Sequence, residues 1–158
     1  MNCEDIEKCI ITKDFIDGNT DTRCFSSLIA AAKYKHFFSD NYTIGGGGTT
    51  NPGRGVTMFV PSDKSLILKY GEDFLHELDT INKHSARCIV ESSTVNGRLD
   101  SYWFAENKLT VIPTMRNAEY VSLSNACKLN GTAEVLLWDC NLTNGTIHIT
   151  DGFVNTIF

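Results

Sequence analysis

Two short segments constrain this chain more than anything else in it: TMFVPSDKSL at Thr57–Leu66 and NGTIHITDGF at Asn144–Phe153. In the first, Met58, Phe59 and Val60 read as a buried strand that Pro61 stops, because proline has no N–H to continue a ladder. Ser62 or Asp63 then stands where a side-chain oxygen can accept from the free N–H groups that open a helix. The second segment begins with Asn144-Gly145, a hairpin-turn pair. It then alternates Thr146, Ile147, His148, Ile149, Thr150 and turns again at Asp151-Gly152. Ile147 and Ile149 face one way in such a strand and His148 the other. A polar ring on a buried face needs a partner, which the sequence suggests is a backbone group or a side chain such as Asp63.

At 158 residues the chain fits a single domain. The net charge of −5 argues against a nucleic-acid partner, because phosphate binding needs clustered Lys and Arg. The densest basic group, Lys33, Lys35 and His36, reads as a solvated helix face. No apolar run approaches the roughly 20 residues that span a bilayer. Met1 is followed by polar residues, so a secreted form would take its leader from sequence not present here.

Along the chain, Phe25, Leu28, Ile29 and Ala32 recur at helical spacing and predict a helix over Cys24–Phe38, capped by Thr22 or Asp21. The stretch from Ile44 to Val56, with four successive glycines at Gly45–Gly48, reads as a loop insertion. It lacks the Lys-Ser/Thr and the following helix of a phosphate cradle. Leu66–Tyr70 completes a short helix ended by Gly71, and Phe74, Leu78 and Ile81 mark another over Glu72–Asn82. Cys88-Ile89-Val90 reads as a short buried strand. Further strands are expected at Leu109–Pro113, Ala118–Leu123 and Ala133–Trp138, with Asn130-Gly131 as a hairpin turn. Helices early and strands late define an α+β class.

In their order and separation the two segments resemble the two signature boxes of the fasciclin-domain family. The resemblance covers Cys24–Phe158 and leaves Met1–Arg23 as an N-terminal extension packed on the domain. It implies a twisted β-wedge or sandwich with helices packed around it. It also implies that the box residues Thr57, Phe59, Pro61, Ser62, Asp63, Asn144, Gly145, His148, Asp151 and Gly152 hold the fold. The family often carries an integrin-associated Tyr-His pair near the middle of the domain. Arg87-Cys88 stands there in this chain, so integrin binding through that region is expected to be weak or lost.

Six cysteines, Cys3, Cys9, Cys24, Cys88, Cys127 and Cys140, form an even set without a CxxC pair. Their wide spacing favours disulfides in an oxidising compartment over a zinc site, with buried free thiols as the alternative. Four sequons, at Asn41, Asn130, Asn141 and Asn144, agree with an extracellular location. His76-Glu77 begins like a zinc-protease helix, but Thr80 replaces the second histidine. No nucleophile elbow or Ser-His-Asp order stands out. No cofactor or metal is called for.

The expectation is a non-catalytic, secreted or surface-tethered domain that mediates cell or matrix adhesion through protein or glycan. A ligand-binding module for lipid or glycan is the alternative, and a secreted hydrolase or redox enzyme a more distant one. Candidate contact residues are Arg54 in the glycine loop, Arg87, and Tyr102 and Trp103 in Ser101-Tyr102-Trp103-Phe104, because aromatics supply large contact area. Asn96-Gly97-Arg98, which resembles a receptor-ligand tripeptide, reads as a turn.

Overall fold

The computed structural model describes residues 20–33, 56–116, 118–142 and 145–155, with only the backbone at Thr20, Leu75, Asp79 and Leu142. Helix α1 (Arg23–Ala32) buries Phe25, Leu28, Ile29 and Ala32, the four stripe residues. It ends with the stripe, where Lys33 enters the left-handed region at φ 55°; residues 34–38 of the expected span lie outside the described residues. Strand β1 (Val56–Pro61) is buried throughout and runs into α2 (Asp63–Tyr70), whose N-cap is Ser62: its Oγ accepts from Ser65 N–H at 3.1 Å. Gly71, at φ 83°, ends that helix and gives its N–H to Ile67 O. Helix α3 (Glu72–Asp79) follows and is shorter than the expected span, because Asn82 caps the next helix instead.

That next helix, α4 (Lys83–Ser92), corrects the expected strand at Cys88–Val90. Asn82 Oδ1 accepts from Ser85 N–H at 2.8 Å, and Ala86, Ile89 and Val90 form a buried stripe at helical spacing. Ile89 and Val90 favour strands by propensity, and packing on the helix overrides that preference. Strand β2 (Thr94–Asn96) and helix α5 (Ser101–Glu106) come next. After them come β3 (Ile112–Pro113), β4 (Tyr120–Val121), β5 (Lys128–Leu129), β6 (Ala133–Leu142) and β7 (Gly145–Thr150).

The main sheet has the order β2-β1-β7-β6-β5, and β3 pairs with β4 separately. Leu129 lies opposite Ala133, so Asn130-Gly131 does join two antiparallel strands. The two sequence boxes meet at the centre of the sheet: β1 and β7 pair in parallel, with Met58 beside Ile147, Phe59 beside His148 and Val60 beside Ile149. Alternation then splits these residues between two cores. Met58, Val60, Ile147 and Ile149 pack with the stripes of α1 and α4. Phe59 packs on the opposite face with Val95, Phe104, Val121 and Leu129.

Candidate functional site

His148 lies on that opposite face and is fully buried. Its Nδ1 accepts from Asp139 N–H at 3.0 Å, and its Nε2 donates to Leu99 O at 2.7 Å. Both ring nitrogens are engaged, which sets the Nε2–H tautomer. Burial lowers its pKa; the bond to Leu99 and the carboxylates of Asp139 and Asp100 oppose that shift. The rings of Phe59, Phe104 and Trp138 surround it, with centroids 5.7, 6.1 and 4.8 Å away. Its partners are therefore two backbone groups, and Asp63 is not among them. The Asp63 carboxylate instead accepts from Arg23 N–H at 3.1 Å and Cys24 N–H at 2.9 Å. It caps α1 from across the fold, where Thr22 makes no side-chain cap bond.

Three residues of the boxes converge on one short loop. Thr57 Oγ1 donates to Gly97 O at 2.7 Å and accepts from Leu99 N–H at 2.8 Å. Gly145 O accepts from Arg98 Nη1 at 3.3 Å, and His148 holds Leu99 O. Gly97, at φ 90°, makes the turn that brings Asn96-Gly97-Arg98 into this grip.

The loop leads into α5, which is fixed from a second side. The ladder of β6 shifts register between Leu137 and Cys140, and Asp139 there adopts φ 66°. This irregularity aims its carboxylate at Ser101, accepting from the N–H at 2.7 Å and from the hydroxyl. Asp100 Oδ1 accepts from Trp103 N–H at 2.8 Å and completes the cap. The result is a short helix whose Phe104 is buried, whose Trp103 is half-buried and whose Tyr102 is 72% exposed. Leu109 and Val111, just beyond the helix, are 60% and 59% exposed.

The remaining expected residues separate clearly. Asp151 joins Lys69 of α2 at 3.2 Å and accepts from Glu134 N–H, tying α2 to β6. Gly152 sits against Lys69, whose Nζ would lie 2.8 Å from an added Cβ. Pro61 closes β1 opposite Thr150. Arg87 Nε donates to Ala32 O at 2.7 Å and Nη2 to Lys33 O at 3.3 Å, so its guanidinium caps the C-terminus of α1.

Asn130 Nδ2 donates to Tyr120 O, Val154 O and Asn155 Oδ1, bonds that a glycan on that nitrogen would disrupt. Asn141 is exposed, with its Oδ1 accepting from Thr146 Oγ1 at 2.9 Å. No disulfide joins any two of the described cysteines Cys24, Cys88, Cys127 and Cys140. Cys3, Cys9, Asn41, Asn144, Arg54 and the glycine run lie outside the described residues. Among the described residues, no three His, Cys, Asp or Glu side chains gather as metal ligands, and no helix is long and apolar enough to cross a membrane.

Sequence reasoning missed one pair. His84 Nε2 lies 3.8 Å from Cys88 Sγ, one turn apart on α4. Its signal is i,i+4 spacing, which a strand at Cys88 conceals.

The fasciclin-domain family model matches residues 21–154, so the chain belongs to the fasciclin-domain family. Its members are generally adhesion modules, typically extracellular or at the cell surface. Among solved structures, a fasciclin domain pair from the insect cell adhesion molecule fasciclin I superposes with a TM-score of 0.68 at 16% identity. The match covers 93% of this chain and 51% of that one, so this chain spans about half its length, and the likeness shows a shared α+β fold. No protein of curated function matches by sequence.

Proposed function

We propose that this domain acts non-catalytically in adhesion, secreted or tethered at the cell surface, and binds a cell-surface or matrix protein through α5 and the segment after it. The observation that carries this reading is the exposure of Tyr102, Leu109 and Val111 within one ten-residue stretch, beside a buried network that fixes the helix presenting Tyr102. Exposed apolar side chains on a rigid support are what a protein partner can bury. A role of the box residues in the fold is supported by the bonds of the described ones: His148 uses both nitrogens, Asp63 caps α1, and Asp151 holds Lys69.

The test coats purified protein on a surface and measures cell and matrix attachment for the parent, Tyr102→Ala, Trp103→Ala and Leu68→Ser. Leu68 lies on α2 and is 78% exposed, which makes it the control for apolar exposure elsewhere. Attachment lost with Tyr102 and retained with Leu68 supports the reading. A parent that attaches to nothing refutes it.

One observation favours a second reading, a glycan- or lipid-binding module. A groove of about 550 Å³ is lined by Lys69, Tyr70, Glu119, Tyr120 and Phe153, within the size range of small-ligand sites. Glu119 Oε2 there is buried without a hydrogen-bond partner. Chemical-shift changes confined to this groove on adding soluble sugars or lipid micelles would move the proposal to that module.

A further inference from the structure

The pair that the sequence conceals occupies a groove of its own. Glu77, Leu78 and Ile81 of α3 and its following turn, His84 and Cys88 of α4, and Arg116 line a space of about 360 Å³. Leu78 and Ile89 are its buried apolar lining, and Glu77, His84 and Arg116 are the charged or titratable groups that line it with the thiol. Cys88 is half-buried and His84 exposed, so a small molecule can reach the sulfur while the imidazole stays at 3.8 Å. The remaining described cysteines are placed differently: Cys140 is buried in β6, Cys24 opens α1 beside Asp63, and Cys127 is exposed in the turn before β5.

We infer that Cys88 is a site of thiol–disulfide exchange, with His84 as the proton acceptor and a small carboxylate-bearing disulfide of the cystine class as the co-reactant. The step balances as follows. The Cys88 thiol proton passes to His84 Nε2, and the sulfur attacks one sulfur of the incoming disulfide. The new Cys88 S–S bond forms as the reagent's S–S bond breaks, and the departing thiolate takes the proton from His84. Cys88 is oxidised to a mixed disulfide and the released half of the reagent is reduced to a thiol. Arg116 supplies the recognition. It reaches Glu119 at 3.4 Å through Nη1 and stays 40% exposed, which leaves further donors of its fork for a carboxylate.

The experiment incubates the full chain, as isolated, with cystine, quenches in acid, alkylates, and follows the mixed disulfide at Cys88 and Cys127 by peptide mass spectrometry. Cys127, the more exposed thiol, is the internal reference. Cys88 is expected to react about tenfold faster than Cys127, a modest share of what a positioned base contributes. His84→Ala and His84→Gln should each bring Cys88 down to the rate of Cys127 with melting unchanged. Arg116→Gln should reduce the preference for cystine over the uncharged bis(2-hydroxyethyl) disulfide, which has no carboxylate. Equal rates at the two cysteines in the parent would overturn the inference. So would an unchanged rate in both His84 variants, or a Cys88 already locked in an intramolecular disulfide on the isolated chain.

Discussion

The two faces of the β1–β7 pair differ in what they ask of the sequence. On one face Met58, Val60, Ile147 and Ile149 meet the stripes of α1 and α4, and every requirement is met by apolar volume. On the other, Phe59 and His148 lie side by side, and the histidine ring binds the backbone of two segments, the neighbouring strand at Asp139 and the distant loop at Leu99. The first face needs residues of about the right size and no direction. The second also needs donors and acceptors at fixed points, because two backbone groups would otherwise be buried without partners. This teaches where specificity is built. One side stabilises the domain, and the other sets the position of α5 and so of its exposed aromatic.

The strongest way to break this comparison is to place a charge on the apolar face. Val60→Asp would bury a carboxylate among Met58, Ile147 and the α1 stripe with nothing to pair it, at a cost of several kcal/mol. The expected result is a chain that is unfolded or melts far below the parent in thermal denaturation followed by circular dichroism. A near-normal melting temperature would mean that this face is not the main core.

His148→Leu sharpens the contrast from the other face. It keeps apolar volume but leaves Asp139 N–H and Leu99 O without partners, at about 1–3 kcal/mol each. The pH dependence carries the sign. Burial lowers the folded pKa of His148 below the ordinary 6.5, so as pH falls the unfolded chain takes up the proton first. Stability from this group is full above about pH 6.5 and is lost progressively below it. Denaturant titrations from pH 8 to 5 should show that loss in the parent and a flatter profile in His148→Leu. Parallel profiles would show that His148 is not the titrating group.

The same contrast explains how much could be read from the sequence. The apolar face was legible, because Phe25, Leu28, Ile29 and Ala32 advertise a helix stripe, and Met58 to Val60 a strand, by local periodicity alone. So was a cap at Ser62 or Asp63, because the Ser65 N–H that Ser62 Oγ accepts from lies only three residues on. The long-range polar partners were not, because on the polar face His148 reaches Leu99 across 49 positions, and away from both faces Asp63 reaches Cys24 across 39. No local pattern encodes such a distance. The strand expected at Cys88–Val90 failed for a different reason: its β-favouring residues are buried on a helix that Asn82 starts, and tertiary packing overrode propensity. That failure also hid His84 and Cys88 as neighbours.

Asp63→Ala is a smaller perturbation that acts on neither face directly. It removes an acceptor from Arg23 N–H and Cys24 N–H and should cost about 1 kcal/mol, the usual worth of a helix cap. Hydrogen exchange should speed at the first turn of α1 and not in α5. Faster exchange in both would show that the two faces are coupled more tightly than their separate cores imply.

The smallest expected effect on stability is the most informative about function. Tyr102 is 72% exposed, so Tyr102→Ala should change stability by no more than about 0.5 kcal/mol while reducing attachment. If the buried network matters only because it presents that side chain, then Asp139→Ala, which releases Ser101 at the start of α5, should reduce attachment through the same surface. The double variant separates the cases. Once Tyr102 is gone, releasing α5 should cost no further attachment, so the two losses should be strongly non-additive. Purely additive losses, measured on variants confirmed folded by circular dichroism, would mean that Asp139 supports a different contact and that α5 is not the surface the clamp holds in place.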